Sequence, residues 1–147
     1  MHIEERIHIA VPPRVIDRIW SEVDRWHLWD PDTKQARLDG PFAVGTKGRI
    51  VPQKGMGVPM VVTERSQGRS FTPLGYIHLF PMHFKHTVSA TDSGSDVVHR
   101  VWFTGALAFL FGPGVAKQVR QGLPRTMLSL KAYAEQRHAT SGSGDAP

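Results

Sequence analysis

Residues 82–137 read MHFKHTVSATDSGSDVVHRVWFTGALAFLFGPGVAKQVRQGLPRTMLSLKAYAEQR, and this stretch decides the fold. Its first part alternates: Met82, Phe84, His86 and Val88 share one parity, and His83, Lys85 and Thr87 the other. After the turn Asp92-Ser93-Gly94-Ser95, Val97, His99, Val101 and Phe103 again share a parity, with Arg100 and Thr104 outside. Successive strand residues face opposite ways, so this is an antiparallel hairpin with one mostly apolar face. Beyond Gly112-Pro113-Gly114 the period changes. Val115, Val119, Leu123, Met127, Leu130 and Ala134 recur at spacings of three and four, one stripe of a long helix. Pro124 beside Gly122 predicts a kink in it. The pattern predicts a single α+β domain whose curved antiparallel sheet wraps around the long C-terminal helix. The domain spans residues 1–138, and the Ser-, Gly- and Ala-containing stretch 139–147 reads as a flexible tail.

Upstream, residues 2–10 form another half-buried strand, with Ile3, Ile7 and Ile9 on one side and His2, Glu4, Arg6 and His8 on the other. Pro12-Pro13 starts a helix with the stripe Val15, Ile16, Ile19, Trp20 and Val23. A second short helix follows, with Asp24 as N-cap and Trp26 and Trp29 on one face, and Asp30-Pro31 ends it. From Thr33 to Gly105 the chain reads as strands divided at Asp39-Gly40-Pro41, Gly45, residues 54–57, Gln67-Gly68, Pro73-Leu74-Gly75 and residues 92–95. Such short connections favour antiparallel neighbours. Residues 73–82 fit no clear pattern.

A two-residue hairpin at Gln67-Gly68 pairs Glu64 with Phe71 and puts Met60, Val62, Glu64 and Phe71 on one face. The inner surface then includes Glu64, His86 and His99 among apolar residues. A concave apolar wall with a few polar groups suits a small-molecule pocket. The expected lining is Trp29, Met60, Val62, Phe71, Phe84, Val101, Leu123 and Met127, with Glu64, His86 and His99 orienting the ligand. The same three groups are the candidates for proton transfer, because a His–Glu pair in a dry cavity can act as a base and its orienter.

Other chemistries are poorly supported. The chain has no cysteine, which removes disulfides, thiolate nucleophiles and Cys-based zinc sites. His2 and His8 lie six residues apart, His83 and His86 have opposite parity, and no H-E-x-x-H spacing occurs. No metal or other cofactor is expected, convergence of Glu64, His86 and His99 being the one arrangement that would hold an ion. No G-x-S-x-G, P-loop or G-x-G-x-x-G is present. The formal charge of +5 is concentrated late: residues 113–147 carry five basic groups against two acidic ones. No Arg/Lys block interleaved with aromatics suggests nucleic acid. The apolar run Ala106–Phe111 is far shorter than a membrane span, and the charged N-terminus is unlike a secretory leader, so cytoplasm is expected. That run reads either as a buried connection or as an exposed gate that touches a membrane transiently beside the basic helix.

Several segments together carry a resemblance. Residues 7–15 (IHIAVPPRV) and 26–31 (WHLWDP) come first, followed by residues 37–46 (RLDGPFAVGT) and Thr63-Glu64 before Gly68-Arg69-Ser70-Phe71. Residues 84–87 (FKHT), 99–101 (HRV), 105–112 (GALAFLFG) and 122–126 (GLPRT) complete the series. In this order they resemble the polyketide cyclase/dehydrase-like branch of the START-like (Bet v 1-like, SRPBCC) superfamily, over about residues 3–137. The resemblance implies a helix-grip fold with two short helices after the first strand and a cavity for hydrophobic ligands. It also implies three functions to choose between: a binder of a lipid-like or aromatic ligand, an aromatase/cyclase using His86 or His99 with Glu64, and a peripheral lipid carrier. It fixes neither the ligand nor the oligomeric state.

Overall fold

In the computed structural model, residues 2–77 and 79–142 are described. Seven strands among them form one antiparallel sheet: β1 (His2–Ile9), β2 (Thr33–Leu38), β3 (Lys47–Pro52), β4 (Val58–Ser66), β5 (Ser70–Gly75), β6 (Met82–Thr91) and β7 (Gly94–Phe103). Their order is β1-β7-β6-β5-β4-β3-β2, so one long-range pairing, β1 with β7, joins the chain's first strand to its last. Helix α1 (Pro13–Ser21) and a 3₁₀ helix (Val23–Leu28) occupy the β1–β2 connection, and α2 (Ala108–Gly142) crosses the sheet. This is the helix-grip architecture that the sequence predicts.

The apolar faces explain the packing. Ile16, Ile19 and Trp20 of α1 are buried together with Trp26 and Trp29, against Phe71, Val88 and Val97 of the sheet and Met127, Leu130 and Ala134 of α2. A second apolar cluster joins Ile3 and Val101 to Ala116 and Leu123, with Met82, Phe84, Phe103 and Val119 half-buried around it. The clusters meet at the middle of the β6–β7 hairpin. Phe84 opposes Val101 in the second cluster, Val88 opposes Val97 in the first, and His86 opposes His99 between them.

Several boundaries differ from the sequence reading. Pro73, Leu74 and Gly75 belong to β5 rather than to a turn, and the break falls after Gly75. Pro73 is tolerated because it faces an irregularity of β4, where the register shifts between Val62 and Glu64. Gly94 and Ser95 open β7, leaving Asp92-Ser93 as the turn. Asp24 lies inside the 3₁₀ helix, which Glu22 precedes. Helix α2 begins at Ala108, so the Gly112-Pro113-Gly114 segment lies within it rather than before it. Pro113 is the sixth residue of this helix, so it removes the hydrogen bond to Phe109 O and its ring crowds that carbonyl, on a side of the helix exposed to solvent. The helix also continues through Gly142, so residues 139–142 of the expected tail are helical, whereas residues 143–147 lie outside the described residues.

Helix α1 is fastened to the sheet by Arg65. Its guanidinium donates to both carboxylate oxygens of Asp17, at 2.5 and 3.0 Å, and lies 4.6 Å from the centre of the Phe42 ring. Phe42 in turn packs on Phe71, 5.0 Å between ring centres. Phe71 is fully buried at this junction. Phe71→Ala is expected to destabilise the protein by about 3–5 kcal/mol, measured by urea denaturation, since the rigid surroundings leave most of the ring's volume empty.

Candidate functional site

Strand pairing assembles the site. Cross-strand partners share a face, and the register places Arg65, Phe71, His86, His99 and Glu5 opposite one another in succession across β4, β5, β6, β7 and β1. This rung runs along the inner face beneath α1 and α2. Phe71 and His86 stack, with ring centres 4.1 Å apart and planes 13° apart. His86 and His99 meet edge to face at 4.2 Å. Trp20 of α1 caps them, 5.5 Å from His86 and 6.1 Å from His99, and Trp29 approaches His99 at 6.3 Å.

Both histidines are buried, and burial is the main influence on their protonation. Desolvation pushes His86 down to about 3, opposed by hydrogen bonds to backbone carbonyls including that of Phe84, 3.0 Å from Nδ1. His99 is likewise held well below its ordinary value, by desolvation first and by its neighbour His86 second. Both rings are therefore neutral near pH 7, each able to offer one donor and one acceptor. The Nε2 of His99 and the indole Nε1 atoms of Trp20 and Trp29 are buried and find no hydrogen-bond partner among the described residues.

Of the residues expected to line the pocket, Trp29, Met60, Val62, Phe71, Val101, Leu123 and Met127 are buried, and Phe84 is half-buried. Trp29, Met60, Phe71 and Met127 fall in the first cluster, Val101 and Leu123 in the second, with Phe84 beside them. Phe71, His86 and His99 come together. Glu64 does not join them. Ser66 pairs with Ser70, which makes the β4–β5 loop three residues long rather than two, with Gly68 at φ 75°. Glu64 consequently pairs with Thr72 on the opposite face, where its carboxylate accepts from Ser70 Oγ at 2.6 Å and Thr72 Oγ1 at 2.9 Å. The bulge at Thr63 then returns Met60 and Val62 to the inner face. The expected His–Glu pair is thus not assembled, and Glu64, His86 and His99 do not converge on a metal position.

Arg65 and Glu5 are the charged residues that the sequence reading missed on this rung. Glu5 has the same parity as Ile3, Ile7 and Ile9, a signal present in the sequence. Arg65 had none, because its direction depends on the loop length and the bulge.

The depressed histidines make stability depend on pH. Between about pH 6.5 and pH 3 the unfolded chain binds a proton at His86 that the folded protein does not, so stability falls as pH falls through that window. The slope contributed by His86 approaches about 1.4 kcal/mol per pH unit. His86→Leu is expected to show a shallower loss of stability than the parent between pH 6.5 and 5 in urea titrations. Equal slopes would mean that His86 is not buried neutral.

The sequence matches the family model described as polyketide cyclase/dehydrase and lipid transport over residues 1–135. No curated protein matches the chain in sequence. Among solved structures, a START superfamily protein from Mycobacterium smegmatis superposes with a TM-score of 0.75 at 14% identity, covering 92% of this chain and 97% of that one. The di-domain ARO/CYC StfQ from the steffimycin biosynthetic pathway gives 0.74 at 14% identity, over 94% of this chain and 51% of its own. Ara h 8.0201 gives 0.69 at 16% identity, over 91% and 97%. These likenesses concern the fold, and the family match concerns the sequence. The match over residues 1–135 leads to one conclusion: the chain belongs to the polyketide cyclase/dehydrase and lipid transport family.

Proposed function

We propose that the protein binds a small apolar ligand, lipid-like or aromatic as a polyketide is, between its sheet and the first half of α2. The carrying observation is that three buried ring atoms, Trp20 Nε1, Trp29 Nε1 and His99 Nε2, have no hydrogen-bond partner among the described residues, in an interior lined mainly by apolar side chains. A buried polar atom left unpaired costs about 1–3 kcal/mol, so a ligand carbonyl or hydroxyl reaching them is recognised by more than burial. The apolar approach is supported by Met82, Phe84, Phe103 and Val119, which remain half-buried although they pack at the sheet–helix interface. In this reading Phe84, Val101 and Leu123 hold the ligand's body. Trp29, Met60, Val62, Phe71 and Met127 close the deep end, and His86 and His99 orient its polar group. Glu64, on the other face, takes no part. A cyclase relying on His86 or His99 with Glu64 is disfavoured, because the carboxylate is misplaced and an imidazole with a pKa near 3 is a weak base.

A second reading, transient contact with a membrane during ligand exchange, is favoured by one surface. Phe109 is 81% exposed, and Leu110, Phe111, Tyr76 and Leu79 are exposed with it. Leu107 N donates to Leu79 O at 2.9 Å, which brings the β5–β6 loop against the start of α2. Phe109, Pro113, Lys117 and Arg120 follow at helical spacing and are all exposed, so an apolar tip adjoins a basic stripe. No helix among the described residues is long and apolar enough to cross a membrane.

Native mass spectrometry of freshly purified protein is expected to show a co-purifying apolar small molecule. The amphipathic aromatic probe 1-anilinonaphthalene-8-sulfonate should quench tryptophan fluorescence on binding. Val101→Phe and Leu123→Phe should weaken it about tenfold, or about 1.4 kcal/mol. Unchanged affinity in both filled variants would overturn the placement. For the membrane contact, co-sedimentation with phosphatidylglycerol-containing vesicles should decline with salt and be lost in Phe109→Asp, whose exposed site leaves the thermal midpoint unchanged. No sedimentation at low ionic strength would refute it.

A further inference from the structure

The outer face carries a group unrelated to the ligand site. His8 of β1 and Asp96 of β7 are cross-strand partners, and Asp96 Oδ1 lies 3.3 Å from His8 Nδ1. The turn between β6 and β7 brings Ser93 Oγ to 3.1 Å from the other ring nitrogen, His8 Nε2. Serine, histidine and aspartate therefore stand in a line, the imidazole between hydroxyl and carboxylate. Nothing in the sequence spacing shows this, since His8 lies 85 residues from Ser93 and 88 from Asp96.

The backbone holds the three in place. A side chain at Gly94, where φ is +145°, would meet Ile9 O at 2.3 Å, so the turn is packed against the end of β1. Ser95 Oγ, buried at the start of β7, donates to Val11 O at 2.6 Å. Lys131 Nζ of α2 donates to His8 O at 3.2 Å and to Glu135, which also accepts from Ala10 N at 2.8 Å. These contacts fix the backbone of β1 and β7 beside the turn, which sets the positions from which the hydroxyl, the imidazole and the carboxylate meet.

We propose that Ser93, His8 and Asp96 form a surface acyl-transfer site that accepts acyl groups from activated esters. The Asp96 carboxylate accepts the Nδ1 proton of His8, leaving Nε2 as the base. Ser93 Oγ attacks the ester carbonyl carbon while its proton passes to Nε2. The tetrahedral adduct expels the leaving-group oxygen, which takes that proton and departs as the alcohol or phenol, leaving Ser93 acylated. Water then attacks the acyl carbon and gives its proton to Nε2. Collapse returns that proton to Ser93 Oγ and releases the acid. The His8 and Asp96 side chains are 41% and 38% exposed, so solvent meets the developing oxyanion. Stabilisation there is weak in water, which restricts the site to donors with good leaving groups, such as aryl esters, rather than amides.

The test uses the full chain and p-nitrophenyl acetate, with p-nitrophenol release followed by absorbance and the acetylated residue located by peptide mapping after acid quench. An acetyl group on Ser93 is expected. Ser93→Ala and His8→Gln should each lower the protein-dependent rate on the order of a hundredfold, the usual scale of general-base assistance, without moving the thermal midpoint. Asp96→Asn should slow acetylation of Ser93, and Asp96→Glu should restore part of it, a rescue that a merely structural role would not give. Acetylation confined to lysines, or a Ser93→Ala rate equal to the parent's, overturns the proposal.

Discussion

Two neutral imidazoles placed side by side under the helices set the terms for the interior. His86 and His99 occupy the one rung of the β6–β7 hairpin that separates the two apolar clusters. Desolvation forbids them charge at neutral pH, so they must be satisfied as neutral donors and acceptors or left partly unsatisfied. The surrounding aromatic rings accommodate them as flat, weakly polar surfaces: Phe71 stacks on one, and Trp20 packs against both. The interior therefore behaves as an aromatic box with a few directed polar atoms rather than as a uniform aliphatic core.

The same rung ties the secondary structure together. At one end Arg65 reaches Asp17 and fixes α1 above the sheet, and at the other Glu5 sits on the strand that closes β1 onto β7. Helix α2 is fastened mainly at its C-terminal part, where Arg137 donates to Glu22 through its two terminal guanidinium nitrogens and Lys131 donates to the carbonyl of His8 near the end of β1. Its N-terminal part lies over half-buried Met82, Phe84 and Phe103. The helix is thus held by ion pairs and hydrogen bonds towards its C-terminal end and by apolar contacts through Ala116, Val119 and Leu123 towards its N-terminal end.

Much of this was legible in the sequence. Alternation in β1, β6 and β7 and the three-and-four spacing of α2 gave elements, faces and the gripped helix, because burial on one side of a regular element imposes a period. The inward direction of His86 and His99 followed directly, since neither β6 nor β7 is interrupted. Glu64 was misplaced for the converse reason. A three-residue loop at Gln67–Arg69 shifts the pairing by one, and a bulge at Thr63 shifts it back, so Met60, Val62 and Phe71 were read correctly while the residue between the two irregularities was inverted. Parity is an exact count, and one uncounted residue reverses every assignment until another compensates.

The sequence by itself determined the fold class, the order of the elements and the apolar faces, because these depend on local periodicity and turn chemistry. The tertiary structure decided everything that depends on register between distant strands. It turned Glu64 out and Arg65 in, put Glu5 beside His99, and brought His8 to Ser93 and Asp96 across most of the chain. Periodicity says which way a residue faces along its own strand. Only the hydrogen-bonded register says what it faces.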